Sequence, residues 1–169
     1  MKATAIACAN IAFVKYWGHA DSARRLPANP SISLNLDCLS TTTTVTRDRG
    51  AGQDTLIING TSAGPAARVR VSRHLDRLRA LADTRECMRV VSHNNFPTGA
   101  GMASSASAFA ALTVAAAAAL DLSLDERTLQ SIARLGSGSA CRSIPTGFVE
   151  WTVEASGQDS YAHSIAPPD

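Results

Sequence analysis

No two cysteines in this chain are spaced as CxxC: Cys8, Cys38, Cys87 and Cys141 lie far apart. Nothing at the N-terminus reads as a secretory leader either, since an apolar segment runs straight from Met1 to the charged Lys15. Together these absences predict reduced thiols in a cytoplasmic protein. Histidine offers no metal set, because His19, His74, His93 and His163 show no ligand spacing. Charge of one sign is missing too: a net charge of +2 is too small to call for nucleic acid or an anionic membrane as partner. The most apolar run, Ala106 to Leu120, is alanine-dominated, contains Ser107 and Thr113, and is too short for a bilayer, so it predicts a helix of a soluble protein. What is present is 169 residues with 45% apolar composition and both charge signs, enough for one domain with a core. The closing "SIAPPD" carries no capped helix or completed strand, which leads to the expectation of a fragment with a further domain absent.

The pattern along the chain mixes strands and helices. Lys2 to Phe13 reads as a strand of small apolar residues. After turn chemistry at Pro27, Asn29 and Pro30, Ile32, Leu34 and Leu36 alternate with Ser31, Ser33 and Asn35, the period of a half-buried strand. The β-branched "LSTTTTVTRD" predicts a second strand. "TLIING", ending in Asn59-Gly60, predicts its hairpin partner. From Arg68 to Leu81 a helix is expected, with Val71, Leu75, Leu78 and Ala82 inward; Arg70, Arg73, Arg77 and Arg79 could grip a polyanion, but a solvated face opposite the core stripe is the favoured reading. "CMRVVSHN" is a strand, Met102 to Leu120 a helix, and "SLDERTLQSIARLGSGSA" a further helix. Ser123 is its expected N-cap, with Glu126 closing a capping box and Gly136 as the stop. "TGFVEWTVEA" predicts another strand. Without regular βαβ alternation, the fold class is α+β with a mainly antiparallel sheet packed with helices.

Three stretches carry candidate chemistry. "NNFPTGAGMASSASAFAAL" has no lysine after Gly101 and so is not a Walker A loop. Phosphate binding needs converging N–H groups, close approach without a Cβ and a helix N-terminus, all of which Gly99, Gly101, Ala103, Ser104 and Ser105 can supply. The hydroxyls of Ser104 and Ser105 are also hard oxygens suited to Mg²⁺. The plainer alternative is a capped helix after a turn. In "ANIAFVKYWGHAD", Lys15 and Tyr16 follow an apolar strand and can serve an anion, or else form a snorkelling lysine beside core aromatics. In "RLGSGSACRSIPTGFVEW", Ser137 and Ser139 offer donors and Arg142 a bidentate cation for carboxylate or phosphate. Otherwise it is a flexible connection with a surface arginine.

These stretches, with "LPANPSISLNL", occur in one order over about residues 3 to 153. Together they closely resemble the mevalonate diphosphate decarboxylases of the GHMP kinase superfamily. The resemblance implies a GHMP-kinase N-terminal domain over residues 1–169, ribosomal protein S5 domain 2-like, with the C-terminal domain absent from this chain. It implies ATP-dependent decarboxylation of mevalonate 5-diphosphate to isopentenyl diphosphate, with ATP and Mg²⁺ as cofactors and a phosphorylated mevalonate as the small-molecule partner. It implies Arg142 against the substrate carboxylate and Asn10 positioning Arg142 or the substrate, both in the catalytic centre. Lys15, Tyr16, His19, Ser137 and Ser139 would bind substrate. Gly99, Gly101, Ala103, Ser104 and Ser105 would cradle ATP, with Ser104 and Ser105 nearest the metal. A homodimer is implied for the complete enzyme, with a C-terminal companion chain as a further partner.

Two departures from the pattern keep alternatives open. Where the family usually has a second lysine after "KYWG", this chain has His19, so a mevalonate 5-phosphate decarboxylase is an alternative. The family's catalytic aspartate belongs to its C-terminal half, and neither Asp21 nor Asp37 replaces it. A GHMP small-molecule kinase and a non-catalytic half-domain binding a partner chain are the other readings.

Overall fold

A computed structural model describes residues 1–97, 104–154 and 156–167. The elements are β1 (Lys2–Val14), β2 (His19–Asp21), β3 (Leu26–Pro27), β4 (Ser31–Asp48), β5 (Thr55–Ile58), β6 (Thr61–Ser62) and α1 (Pro65–Leu81). They continue with β7 (Cys87–Asn94), α2 (Ser104–Ala119), α3 (Glu126–Gly136), a 3₁₀ turn (Gly138–Ser143), β8 (Phe148–Val153) and β9 (Ser160–Ala166).

β4 is the spine of a mixed sheet ordered β6-β5-β7-β4-β8-β9, with β1 on the other edge of β4. β1 pairs antiparallel along nearly all of β4. The opposite edge of β4 is divided, with β8 on Ser31–Leu34 and β7 on Thr41–Asp48. The two strands expected over residues 31–48 are therefore one. Pairing jumps from Cys8↔Ser40 to Ala9↔Leu36, so residues 37–39 bulge out and bend the strand without ending it. The mainly antiparallel α+β class holds, yet β5 is not the hairpin partner of the threonine strand. It lies parallel to β7, and its Asn59-Gly60 turn leads only to the two-residue β6. β7 occupies the edge of β4 that β5 was expected to take.

Burial in β4 also inverts the expected sense of its alternation. Ser31 and Ser33 are fully buried, whereas Ile32, Leu34 and Leu36 are half-buried. The period of two was legible, but the polar face is the one turned inward, toward the site described below.

α2 is buried around most of its circumference, as an almost uniformly apolar helix must be. Its alanines allow close approach to the alanine face of β1, where Ala7 packs with Ala110 and Ala111. α1 starts with Pro65 in its first turn, where the missing N–H costs nothing. Leu75 and Leu78 of α1 enter the main core with Val45, Met88, Val90 and Leu112. Arg79 does not stand on the solvated surface: it is buried, ion-paired to Asp54, with Nε donating to the Glu86 carbonyl at 2.9 Å. The α3 cap is Asp125, which accepts from the Thr128 N–H at 2.8 Å, in place of Ser123. Shifting the start two residues puts the carboxylate beside the positive end of the helix, where it is held below its usual range by the bond to Thr128. β9 takes in Ser164, Ile165 and Ala166 of the closing "SIAPPD", where no completed strand was expected, and pairs antiparallel with β8.

Candidate active site

Three separated segments meet at the 3₁₀ turn. The turn holds Arg142 in the interior, with only 4% of it exposed. Its guanidinium donates to Ser31 Oγ of β4 at 2.6 Å and to Asn10 Oδ1 of β1 at 3.3 Å. The rings of Tyr16 and Trp151 lie 5.9 Å from it. Asn10 is held in turn by donating to Ser143 Oγ at 2.8 Å and to the Ser139 carbonyl at 3.2 Å. Among the described residues Arg142 has no carboxylate partner, and its Nε has no hydrogen-bond acceptor. Burial lowers its pKa, with Cys141 and Tyr16 acting weakly the other way.

An unpaired buried guanidinium costs several kcal/mol, on the order of the penalty for any desolvated ion. Two neutral oxygens and two aromatic faces offset only part of that. The arrangement is complementary to an incoming anion, and the planar fork of arginine suits a carboxylate.

Tyr16 follows β1 and packs edge-on against Trp151, with ring centroids 4.8 Å apart, while His19 lies 5.7 Å from it on its other contact. A Cβ at Gly138 would stand 2.5 Å from the Tyr16 hydroxyl, so glycine there lets the phenol reach the turn. Lys15 and His19 are exposed. Asn29 pins this segment, accepting from the Trp17 N–H at 2.8 Å and donating to the Lys15 carbonyl at 3.2 Å.

Ser137, buried at the end of α3, has its Oγ 3.1 Å from Ser105 Oγ in the first turn of α2. That contact joins the two glycine–serine stretches. Ser104 is half-buried beside it, and Ser139 is half-buried in the turn. Gly99, Gly101 and Ala103 lie outside the described residues. Cys141, in the same turn, is fully buried, and burial pushes its thiol up to about 12, which removes it as a nucleophile.

The structure thus brings Asn10, Tyr16, His19, Ser105, Ser137, Ser139 and Arg142 around one turn, while Lys15 is exposed. Sequence reasoning gave no role to Ser31, Ser143, Trp151 or Asn29. The signal for Ser31 was present in its strand alternation, read there with the wrong face inward. Ser143 and Trp151 sit in the quoted Arg134–Trp151 stretch, but only the fold shows them beside Arg142.

A family profile for the diphosphomevalonate decarboxylase-like N-terminal domain matches residues 7–162. The chain belongs to this decarboxylase-like family. It is 42% identical to a diphosphomevalonate decarboxylase of Ganoderma lucidum over 98% of this chain and 46% of that protein. A solved mevalonate diphosphate decarboxylase from Enterococcus faecalis superposes with a TM-score of 0.90 at 42% identity, covering 98% of this chain and 52% of the other. A structure described as MDDEF in complex with MVAPP, AMPPCP and magnesium superposes at 0.89, again at 42% identity, over 98% of this chain and 51% of that one. The chain therefore has the fold of the N-terminal part of these enzymes and spans about half the length of the relatives it matches.

Proposed function

We propose that this decarboxylase-like chain forms the N-terminal part of an ATP-dependent enzyme that converts mevalonate 5-diphosphate to isopentenyl diphosphate, ADP, phosphate and CO₂. The observation that carries the reading is Arg142, a buried guanidinium with no carboxylate partner among the described residues. The similarity to relatives bearing this activity, and to a complex with MVAPP, AMPPCP and magnesium, supports it.

In this reading Arg142 binds the substrate carboxylate, with Asn10 and Ser31 holding its fork in place. Ser137 and Ser139 donate to the substrate, and Tyr16, Lys15 and His19 serve its phosphate end. Ser104 and Ser105 open a 16-residue helix and present hydroxyl oxygens, so they fit Mg²⁺ and the polyphosphate of ATP, with Gly99, Gly101 and Ala103 completing the loop. Mg·ATP supplies the phosphoryl group that makes the tertiary hydroxyl at C3 a leaving group. As phosphate departs, the C1–C2 bond breaks, its electron pair forms the C2–C3 double bond, and Arg142 releases the carboxylate carbon as CO₂. The resemblance assigns the proton acceptor for the hydroxyl to an aspartate of the C-terminal half, which this chain does not span.

One feature favours a second substrate reading. His19 offers an imidazole where the resemblance implies an ammonium, and this suits a mevalonate 5-phosphate. Incubating the polypeptide that carries this chain with ATP and each phosphorylated mevalonate separates the cases. CO₂ with ADP from either substrate supports a decarboxylase and names the substrate. ADP without CO₂ points to a kinase, and no turnover of either compound removes the reading.

A further inference from the structure

Two arginines lie equally deep in this fold and are held differently. Arg142 and Arg134 are each 4% exposed. Arg134, in the last turn of α3, has an acceptor on every nitrogen. Nε donates to the Arg24 carbonyl at 3.0 Å, Nη1 to the Ser160 carbonyl and Ser160 Oγ at 2.7 Å each, and Nη2 to Asp159 Oδ1 at 2.9 Å. With a carboxylate and neutral oxygens around it, this guanidinium keeps its place without a ligand. It ties α3 to the head of β9 and to the loop between β2 and β3. Asp159 also accepts from the Ser160 N–H at 2.8 Å, so Ser160 is fixed through main chain and side chain alike.

The Ser160 hydroxyl carries this order toward the site. Its oxygen accepts a second bond, from Trp151 Nε1 of β8 at 3.1 Å, which occupies both lone pairs. The register brings the two together. Val153 pairs with Ser160 and Trp151 with Ala162, so Trp151 and Ser160 are diagonal neighbours on one face. The small Ala162 opposite leaves space for the indole, which is fully buried. On its other side Trp151 pairs with Ser31, the residue that accepts from Arg142 at 2.6 Å. The indole lies 5.9 Å from the Arg142 guanidinium and meets the Tyr16 ring edge-on at 4.8 Å. Both contacts depend on how the ring is turned, and an indole has a single polar handle, its N–H donor.

We propose that Ser160 is a positioning residue for the reaction: by fixing the Trp151 indole it holds Arg142 and Tyr16 in the arrangement that receives the substrate. Ser160 lies beyond the stretches that carry the family resemblance, and it acts on Arg142 only through another side chain. The proposal rests on the functional reading above and deepens it.

The test compares Ser160→Ala, Ser160→Thr and Trp151→Phe in the polypeptide that carries this chain. The first removes the acceptor, the second keeps it, and the third keeps a ring without the N–H. With mevalonate 5-diphosphate, kcat for CO₂ release should fall about tenfold in Ser160→Ala and Trp151→Phe, the KM for ATP staying within about twofold. Ser160→Thr should recover most of the loss. A readout independent of turnover is the NMR signal of the Arg142 Nε–H, assigned by its absence in Arg142→Lys. It should shift or broaden in Ser160→Ala and Trp151→Phe and return in Ser160→Thr. Should Ser160→Ala not fold, Trp151→Phe is read in the same way on its own. A lowered melting temperature with kcat and the Arg142 signal unmoved makes Ser160 a packing residue, which overturns the proposal and spares the functional reading. An effect of Ser160→Ala that Trp151→Phe does not reproduce also overturns it, because the route through the indole is then wrong. A moved Arg142 signal, with no ATP-dependent CO₂ release from either mevalonate by the parent, sinks the function and keeps the positioning.

Discussion

Arg142 is costly for this fold to keep, and the residues around it act on that cost. Ser31 and Asn10 fix the fork but bring no charge, so the attraction is left for a ligand. Ser31→Ala or Asn10→Ala should therefore lower kcat for decarboxylation by about 10- to 100-fold through misplacement of the arginine, with the KM for ATP little changed. Steady-state kinetics with ATP varied reads this split, and a parallel rise in the KM for ATP would argue for general damage. Cys141, pushed up to about 12 and fully buried, should resist thiol reagents in the native protein while the exposed Cys38 reacts; mass mapping after brief labelling checks the order. His74 is a second buried group with a definite sign. Desolvation, with Arg77 and Arg70 nearby, lowers it to about 3, and Nε2 meets Thr113 Oγ1 at 2.8 Å. Folded His74 stays neutral while the unfolded chain takes up a proton below about pH 6.5. Its contribution to stability is complete above that pH and is lost as pH falls toward 3, with a slope approaching about 1.4 kcal/mol per pH unit. Urea unfolding from pH 7 to pH 5, repeated with His74→Asn, should show that slope in the parent and a flatter one in the variant.

At the scale of elements, the end of α3 is where packing and function share atoms. A Cβ at Gly136 would lie 2.1 Å from the Phe109 ring, so α2 and α3 meet there with no room for alanine. Gly136→Ala should cost about 1–3 kcal/mol and be visible as a lowered melting temperature. It should also disturb the Ser105–Ser137 contact and the bonds that Arg25 and Arg70 donate to the Gly136 carbonyl. Most elements were legible from sequence because their signals are local: the apolar period of α1, the threonine run of β4, the alanines of α2. The errors came from what local signals do not contain. Nothing near residue 37 says that the extra residues bulge out of a continuous strand, nor does "TLII" say that its neighbour is a parallel β7. The burial of Ser31 went unread because its partner, Arg142, lies 111 residues away. Arg79 looked like surface charge for the same reason, since its partner Asp54 lies in the loop before β5.

Across the whole molecule, one long strand organises both halves. β4 gives its threonine end to the core side with β7 and its serine end to the site with β8, and β1 spans both. Of the residues the resemblance named, the fold brings Asn10, Tyr16, His19, Ser105, Ser137, Ser139 and Arg142 around one turn, while Gly99, Gly101 and Ala103 lie outside the described residues. What the resemblance left out were Ser31, Ser143 and Trp151, which join Asn10 and Arg142 only in space. The central claim is that Arg142 is a carboxylate anchor for decarboxylation. The most direct measurement is CO₂ release with ATP and phosphorylated mevalonate by the polypeptide carrying this chain, comparing the parent with Arg142→Ala while nucleotide affinity is followed separately. The account predicts a fall in CO₂ release of about 100-fold or more with ATP affinity changed only modestly. Undiminished CO₂ release in Arg142→Ala would contradict it.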